Sequence, residues 1–273
     1  MRRVIVWLFS FLFAINSFAQ KDIDGLIQAE KNFAAFSVTN STKEAFLKFL
    51  DSSGIVFVNG KVVNGIETWS KREKRPGILN WCPQHVEIAA SGDLGYTTGP
   101  WTFQPKTIHD SIIARGQYTT VWHKDGKGEW KFLVDIGTDD NPAPGDESLH
   151  KIKRTNSGFK PGDENSLLTA EKNFIIAIKK SKPGAYKKYM STLYSLLERN
   201  NEEPASMKDA YTKIGNATPD SIGYTILGSG IAFSGDLGYI YGSTVISDKT
   251  ENYLRIWRKE KEGWKIAVEV LRY

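Results

Sequence analysis

The chain has 273 residues, with 36 Lys and Arg against 31 Asp and Glu, and a single cysteine. This length suits two domains of roughly 110 to 130 residues better than one. The lone Cys82 excludes an intramolecular disulfide, so packing alone must stabilise both domains. Basic residues alternate with acidic ones, and the densest run, residues 71–75, is typical of a solvated helix face. We therefore expect no nucleic-acid partner.

The N-terminus has the pattern of a secretory signal peptide. Arg2 and Arg3 precede an apolar run over residues 4–15, and Ser17 and Ala19 supply the small residues of a cleavage site. An uncleaved anchor is the alternative, but the run is shorter than the roughly 20 residues that a membrane-spanning helix needs. We predict a signal peptide over residues 1–19 and a periplasmic or secreted protein that has no membrane contact after cleavage.

The next 120 residues predict helices followed by strands. Apolar residues from Ile23 onward follow helical spacing, and Ser41 with Glu44 gives capping-box spacing for a second helix. A hairpin with an Asn59-Gly60 turn and a short third helix follow. The predicted strands cover residues 85–90, 95–103, 116–123 and 130–136. This arrangement predicts a first α+β domain over residues 20–140.

Residues 141–163 are rich in Pro, Gly and charge, and we predict a linker there. The second domain, residues 164–273, repeats the order of the first. Helical spacing resumes at Leu167, and Pro183 suits the first turn of a second helix. A polar segment, residues 198–204, replaces the hairpin. The predicted strands cover residues 223–233, 238–246, 252–257 and 264–271.

Three separated blocks recur in the same order in both halves, at nearly one offset of about 140 residues, as a tandem duplication requires. The paired blocks are residues 29–33 and 170–174, residues 91–96 and 234–239, and residues 118–122 and 253–257, the last pair followed by Trp130-Lys131 and Trp264-Lys265. We predict two copies of one domain. An intramolecular pseudo-dimer of the two copies is a further expectation.

The recurring motifs are Ala-Glu-x-x-Phe on the first helix, a Gly-Asp turn, and Tyr-x-x-x-Trp followed by Trp-Lys. Together they resemble the nuclear transport factor 2-like superfamily, in particular its SnoaL-like and ketosteroid-isomerase-like bacterial relatives. The resemblance implies two cone-like domains, in each of which a curved antiparallel sheet wraps around N-terminal helices and leaves a pocket. The superfamily includes isomerases, cyclases, dehydratases and ligand carriers, so the resemblance implies a fold and leaves the function open.

Catalytic relatives place an Asp, or an Asp-His pair, in the pocket as a general base. Here Asp135 is a carboxylate within an apolar last strand, and Glu269 is its counterpart. Asp135 differs in strand parity from Trp130, Phe132 and Val134, so a solvent-facing position is the alternative. His85 and His123 are the predicted partners of Asp135, with Tyr96 as another donor. The scattered histidines give no metal signature, and we expect neither a metal nor a cofactor.

Aromatic residues are abundant and can stack on a flat ligand, although sheets also enrich them without one. The predicted ligand-binding residues are Trp69, Trp81, Tyr96, Trp101, Trp122, Tyr211, Tyr239, Tyr241, Trp257 and Glu269. Glu30 and Glu171 lie beside the buried helical stripe and are predicted to be structural.

Three functional hypotheses remain open. The first is an exported protein that binds a small, partly apolar molecule in a cone pocket without catalysis. The second is an isomerase, dehydratase or cyclase that uses Asp135 as general base in the first domain. The third is a protein–protein interaction module.

Overall fold

The structure is a computed structural model that describes residues 5–139, 149–152, 161–199, 205–206 and 218–273. It contains helices followed by strands, twice, which confirms the α+β class. We call residues 5–152 the first half and residues 161–273 the second half. The predicted tandem duplication itself stays a prediction.

The first half begins with three helices and the strands that separate them. The helices are α1 (Ile5–Thr39), α2 (Thr42–Phe49) and α3 (Gly65–Lys71). The strands are β1 (Leu50–Val58), β2 (Lys61–Asn64), β3 (Ile78–Trp81), β4 (His85–Ile88), β5 (Leu94–Gln104), β6 (Ala114–Lys124), β7 (Trp130–Asp139) and β8 (His150–Lys151). The second half has α4 (Glu164–Lys180), α5 (Lys182–Tyr189), β9 (Leu196–Arg199), β10 (Ala205–Ser206), β11 (Gly223–Ile231), β12 (Leu237–Ile246), β13 (Lys249–Glu260) and β14 (Gly263–Leu271).

Local sequence signals set these boundaries. Ser41 caps α2, because its hydroxyl accepts a hydrogen bond from the Glu44 N–H at 3.2 Å. Asn64 caps α3 in the same way, accepting from the Glu67 N–H at 2.8 Å. The β1–β2 turn places Asn59 and Gly60 at φ of 49° and 75°, a left-handed geometry that Asn and Gly tolerate. The Ser41 cap and this hairpin are as the sequence predicts, whereas the Asn64 cap was not predicted.

Each half forms its own sheet. Among the described residues, the first sheet has the order β2-β1-β7-β6-β5-β4-β8, with β3 also paired to β5. The second has the order β10-β9-β14-β13-β12-β11. Most pairs are antiparallel, but β1 runs parallel to β7, and β9 runs parallel to β14. Strand β8 lies within the predicted linker and pairs with β4.

The segment predicted to replace the hairpin with a polar stretch is different in the structure. Leu196–Arg199 forms β9, which pairs with β14 on one side and with β10 on the other. The predicted polar segment, residues 198–204, therefore starts inside a strand. Of this segment the structure describes Glu198 and Arg199, and Glu198 accepts hydrogen bonds from Thr98 and Thr119 of the first half. The polarity of Glu198 and Arg199 did not indicate a strand, because their charged groups are buried with partners that lie far away in the sequence.

Hydrophobic residues pack in three layers. Helices α1 and α2 cover one face of the first sheet, with Phe33, Trp122 and Phe132 in the buried cluster. Helices α4 and α5 cover the second sheet in the same way, around Phe174 and Trp257. A third cluster joins the opposite faces of both sheets and contains Tyr96, Val121, Val134, Tyr239, Leu254, Ile256 and Val268. The sheets thus pack face to face between two outer layers of helices.

A buried ion pair fixes this contact between the sheets. The Arg258 guanidinium donates through Nε and Nη2 to both carboxylate oxygens of Glu87, with the Nε–Oε1 distance at 2.7 Å. Arg258 also donates to Ser191 at 2.6 Å, and Tyr96 donates to Glu87 at 3.0 Å. A bidentate pair with both partners further hydrogen-bonded fixes the relative orientation of the two sheets.

The N-terminal helix α1 starts at Ile5 and continues past the predicted cleavage site at Ala19. None of the helices, as far as the structure describes them, is long and apolar enough to cross a membrane. The signal peptide and the exported location stay predictions.

Candidate functional site

The helix-facing side of the first sheet encloses a cavity of about 200 Å³. Its walls come from α1, α2 and strands β3 and β5–β7, and it is bordered by Phe33, Phe46, Leu79, Trp81, Trp101, Tyr118, Asp135, Gly137, Asp139 and Arg272. Half of these residues are therefore aromatic, and a few polar groups converge on the space. We call this space the inner cavity.

A β-bulge points Asp135 into the inner cavity. Val121 pairs with Val134, but the next residue, Trp122, pairs with Phe132, so Leu133 is an extra residue in β7. The bulge reverses the alternation of faces between Phe132 and Val134. Asp135 consequently lies on the same face as Phe132, and the parity argument for a solvent-facing position is wrong.

Asp135 is largely buried. Its Oδ2 accepts a hydrogen bond from the Thr120 hydroxyl at 2.7 Å. Burial raises the pKa of Asp135 to about 6, although Thr120 and the more distant Arg272 act in the opposite direction. The carboxyl is thus able to take up or release a proton near neutral pH.

Glu30 lies deeper, at 0% exposure, behind the wall that contains Trp81. Its carboxylate accepts hydrogen bonds from Trp81, Thr97 and Trp122, the last at 2.9 Å. Burial raises its pKa to about 7, despite these three donors. Glu30 fixes the indole rings of Trp81 and Trp122, in agreement with the structural role that the sequence predicts.

The second half contributes one residue to the first half's cavity. Arg272 follows β14 and donates through Nε to the Gly137 carbonyl oxygen at 2.7 Å, and its Nη2 donates to the same oxygen. A Cβ at position 137 would lie 3.0 Å from the Gln117 carbonyl oxygen and 3.3 Å from the Trp101 indole nitrogen, so a side chain there would require these neighbours to shift slightly. Because Arg272 borders it, the inner cavity is built from residues of both halves.

A smaller space of about 130 Å³ adjoins the inner cavity, and we call it the side lobe. It shares Phe46, Asp135, Gly137 and Arg272 with the inner cavity and adds Trp69 and Arg72. The Arg72 guanidinium lies over the Trp69 ring, 4.1 Å from its centroid. Two arginines, one from each half, therefore border the side lobe.

The predicted ligand-binding residues divide into two groups. Trp81, Trp101 and Trp69 border the inner cavity or the side lobe, together with Asp135. Trp122 is fully buried in the core behind Glu30. Tyr96, Tyr239 and Tyr241 lie at the contact between the sheets, Trp257 lies in the second half's core, and Tyr211 falls outside the described residues. Ligand binding by the first group stays a prediction.

The predicted pairing of His85 or His123 with Asp135 is wrong. His123 pairs with Asp51, with 3.0 Å between Nε2 and Oδ2, and it lies opposite Lys131 in the strand register. His85 lies 2.6 Å from the Tyr194 hydroxyl and stacks on His150, and burial lowers its pKa to about 4. Neither histidine borders the inner cavity or the side lobe.

The corresponding interior of the second half is filled by charge. Arg255 is the counterpart of Thr120, and it donates to both Glu171 and Glu269. Arg199 and Tyr186 donate to Glu269 as well. All three members of the Arg255–Glu171–Glu269 cluster are fully buried. Burial disfavours the charged form of Glu269, but the two arginines outweigh it and lower its pKa.

Arg255 also makes aromatic contacts. Its guanidinium carbon lies 4.5–4.7 Å from the ring centroids of Phe174, Tyr224 and Tyr253. The arginine stands where the aligned repeat block of the first half has the smaller Thr120. Glu269, predicted as a ligand-binding residue, is engaged by protein groups instead.

Sequence reasoning missed Arg72, Thr120 and Arg272. Thr120 could have been noticed, because it is aligned with Arg255 when the repeat blocks, residues 118–122 and 253–257, are compared. No local pattern marks Arg272, since its role depends on how the halves pack. In the part of the chain that the structure describes, no group of three or more His, Cys, Asp or Glu side chains is placed to hold a metal ion.

No protein-family model matches the sequence, and no curated protein matches it. The chain is similar to solved structures of nuclear transport factor 2-like (NTF2-like) and ketosteroid isomerase-like proteins. An NTF2-like protein of unknown function from Shewanella oneidensis is 19% identical, with 42% of this chain and 98% of that chain covered and a TM-score of 0.34. An NTF2-like protein with a cystatin-like fold from Novosphingobium aromaticivorans is 10% identical, with 46% and 86% covered and a TM-score of 0.38. A ketosteroid isomerase-like protein from Erwinia carotovora is 12% identical, with 43% and 95% covered and a TM-score of 0.34.

Proposed function

We propose that the first half binds a small, partly apolar molecule in the inner cavity, beside Asp135, and that the second half supports it structurally. The observation that carries this proposal is the contrast between the two interiors. The first half keeps a cavity of about 200 Å³ where the second half has the buried Arg255. Aromatic walls with a few convergent polar groups are typical of small-molecule sites.

Asp135 supports a second candidate, a proton-transfer enzyme of the isomerase, dehydratase or cyclase kind. A carboxyl with a pKa of about 6 inside a cavity is suited to general acid–base catalysis near neutral pH. This candidate has to work without His85 and His123, because they lie elsewhere. Substrate turnover that is lost in Asp135→Asn would distinguish it from binding alone.

We also propose that the protein is exported and loses residues 1–19, on the strength of the N-terminal pattern. N-terminal sequencing of the protein recovered from the periplasm or the medium would give Gln20 as the first residue. Recovery of the uncleaved chain from the membrane fraction would contradict this proposal.

The ligand-binding proposal is tested by copying the second half's arrangement into the first. In Thr120→Arg, a guanidinium would enter the inner cavity beside Asp135, as Arg255 lies beside Glu269. A thermal-shift screen with metabolites, sterol-like compounds and glycans would be run on the wild type and on this variant. The matched control is Thr169→Arg, which makes the same substitution at an exposed position on α4.

A compound that raises the melting temperature of the wild type and of Thr169→Arg, but not of folded Thr120→Arg, would support the proposal. Equal shifts in all three proteins would place binding outside the inner cavity. The absence of any shift across the screen would count against ligand binding and favour the interaction-module hypothesis.

A further inference from the structure

The Arg272 guanidinium is positively charged, but its hydrogen-bond acceptor within the described residues is a neutral carbonyl oxygen. Its Nε and Nη2 both donate to one neutral acceptor, the Gly137 carbonyl oxygen. Among the residues that the structure describes, none accepts a hydrogen bond from Nη1 and no carboxylate forms an ion pair with Arg272. Burial lowers the pKa of this arginine, while Glu251, Asp139 and Asp135 act from a distance in the opposite direction. A largely buried guanidinium of this kind is stabilised when an anion reaches it.

A second cation lies across the side lobe. Arg72 borders both the side lobe and an open groove of about 930 Å³ on the protein surface. The groove is also bordered by Lys43, Lys71 and Arg75, with Glu73 as its acidic member. A groove lined mainly by one sign of charge raises the local concentration of ions of the opposite sign. Anions would therefore be drawn to the entrance of the side lobe.

The inner cavity supplies the apolar part of a binding site. Phe33, Phe46, Leu79 and Trp81 give it apolar walls, and its volume of about 200 Å³ is below the usual range for drug-sized ligands. It shares four of its bordering residues with the side lobe, which lies next to it. One molecule would have to be apolar at one end and anionic at the other to satisfy both spaces.

We infer that the ligand of the first half is a small amphipathic carboxylate, whose ring lies in the inner cavity and whose carboxylate lies between Arg72 and Arg272. This inference rests on the proposed function and names the ligand class of that same site. The arginine from the second half then makes the second half necessary for ligand selection as well as for stability. A planar guanidinium with a free Nη1–H suits a carboxylate oxygen.

The acidic groups near the site set its pH dependence. Asp135 is faced by Thr120 and Tyr118 of β6, by Glu30 of α1, by Asp139 of its own strand and by Arg272. A bound carboxylate favours the protonated form of Asp135, so binding is accompanied by proton uptake above pH 6. The affinity for the anion therefore falls as the pH rises from 5.5 to 8.

Isothermal titration with three acid–amide pairs tests the inference on the full chain. The probes are benzoate, phenylacetate and 3-phenylpropionate, each paired with its neutral amide. The wild type should bind at least one acid about tenfold more tightly than the matching amide at pH 5.5, a preference worth about 1.4 kcal/mol. Arg272→Gln should lose this preference, and Arg72→Gln, at the exposed entrance, should weaken it.

Arg115→Gln is the matched control, because Arg115 borders none of the three described spaces, and it should keep the preference. Asp135→Asn should keep the preference at pH 8 as well as at pH 5.5. Tighter or equal binding of the amides would overturn the inference and leave the proposed function standing. Binding of neither member of any pair would overturn the proposed function, and this inference with it.

Discussion

Ser91 and Ser234 form a reciprocal pair of hydrogen bonds, in which the backbone N–H of each serine donates to the hydroxyl oxygen of the other at 3.1 Å. The neighbouring aspartates also accept hydrogen bonds from the backbone of the opposite turn. Asp93 accepts from the Phe233 N–H at 3.0 Å, and Asp236 accepts from the Ala90 N–H at 3.2 Å. The two turns therefore exchange hydrogen bonds reciprocally, while the pseudo-dimer of the two halves stays a prediction.

We predict that Ser91→Ala and Ser234→Ala each cost about 1–2 kcal/mol, since each leaves a partly buried N–H without its acceptor. The double variant should cost less than the sum of the two, because the hydroxyls also contact each other at 2.8 Å. Urea denaturation of the four proteins measures this coupling. Strict additivity would mean that the two turns do not support each other, and Ser111→Ala, on an exposed loop, serves as the control.

The raised pKa of Glu30 predicts that the protein loses stability as the pH rises. Its folded-state pKa of about 7 lies above the ordinary value of 4.5, so the folded state keeps a proton that the unfolded state has released. The free energy of unfolding should therefore fall between pH 4.5 and pH 7 and level off above. The contribution of Glu30 to this fall is at most about 3 kcal/mol.

The variant Glu30→Gln cannot ionise, so it isolates that contribution. At pH 5 it should be less stable than the wild type, because its amide N–H₂ opposes one of the three donors. The difference in the free energy of unfolding between the wild type and Glu30→Gln should be about 3 kcal/mol smaller at pH 8 than at pH 5. A difference that does not change with pH would refute the raised pKa. Glu67→Gln, on the exposed side of α3, is the control.

Replacing the buried Arg255 should strongly lower the free energy of unfolding. In Arg255→Leu, Glu171 stays buried without its ion-pair partner, and Glu269 keeps its ion pair with Arg199 and its hydrogen bond from Tyr186. We expect a loss of about 3–5 kcal/mol in chemical denaturation. Adding Glu171→Gln should recover part of it, because the unpaired charge is then removed. If the second substitution recovers nothing, the arginine acts through its aromatic contacts alone.

The ion pair between the halves gives a fourth prediction. Arg258→Met leaves the Glu87 carboxylate buried without its ion-pair partner and should cost about 3–5 kcal/mol. The double variant Arg258→Met/Glu87→Gln should cost less than Arg258→Met alone. Denaturation followed by Trp fluorescence and by far-UV circular dichroism measures both. A double variant that is less stable than either single variant would contradict the ion-pair account.

Most of the fold follows from local signals in the sequence. Helical spacing, two side-chain caps and an Asn-Gly turn set α1 to α3, and runs of strand-forming residues indicate the long strands β5, β6, β12 and β14. The short strands β3, β8 and β10 escape prediction, because two to four residues carry too little pattern. Their existence depends on neighbouring strands, which only the folded chain supplies.

The site could be predicted only in part. Asp135, Trp81 and Trp101 follow from composition and position, but the face of Asp135 does not. Leu133 has no sequence mark that distinguishes a bulge from a regular strand residue, so alternation placed Asp135 on the wrong side. Arg272 depends on packing between segments that are about 130 residues apart in the chain, and no local rule covers such a contact.

The position of Arg272 in the chain also has a consequence for biosynthesis. The strand that carries Asp135 and Gly137 is translated well before the arginine that closes the cavity wall. At roughly 5–20 residues per second, the ribosome needs on the order of ten seconds to add the intervening segment. An N-terminal half that folds early must wait with its cavity wall unfinished, and only a chain translated through Arg272 acquires a complete one.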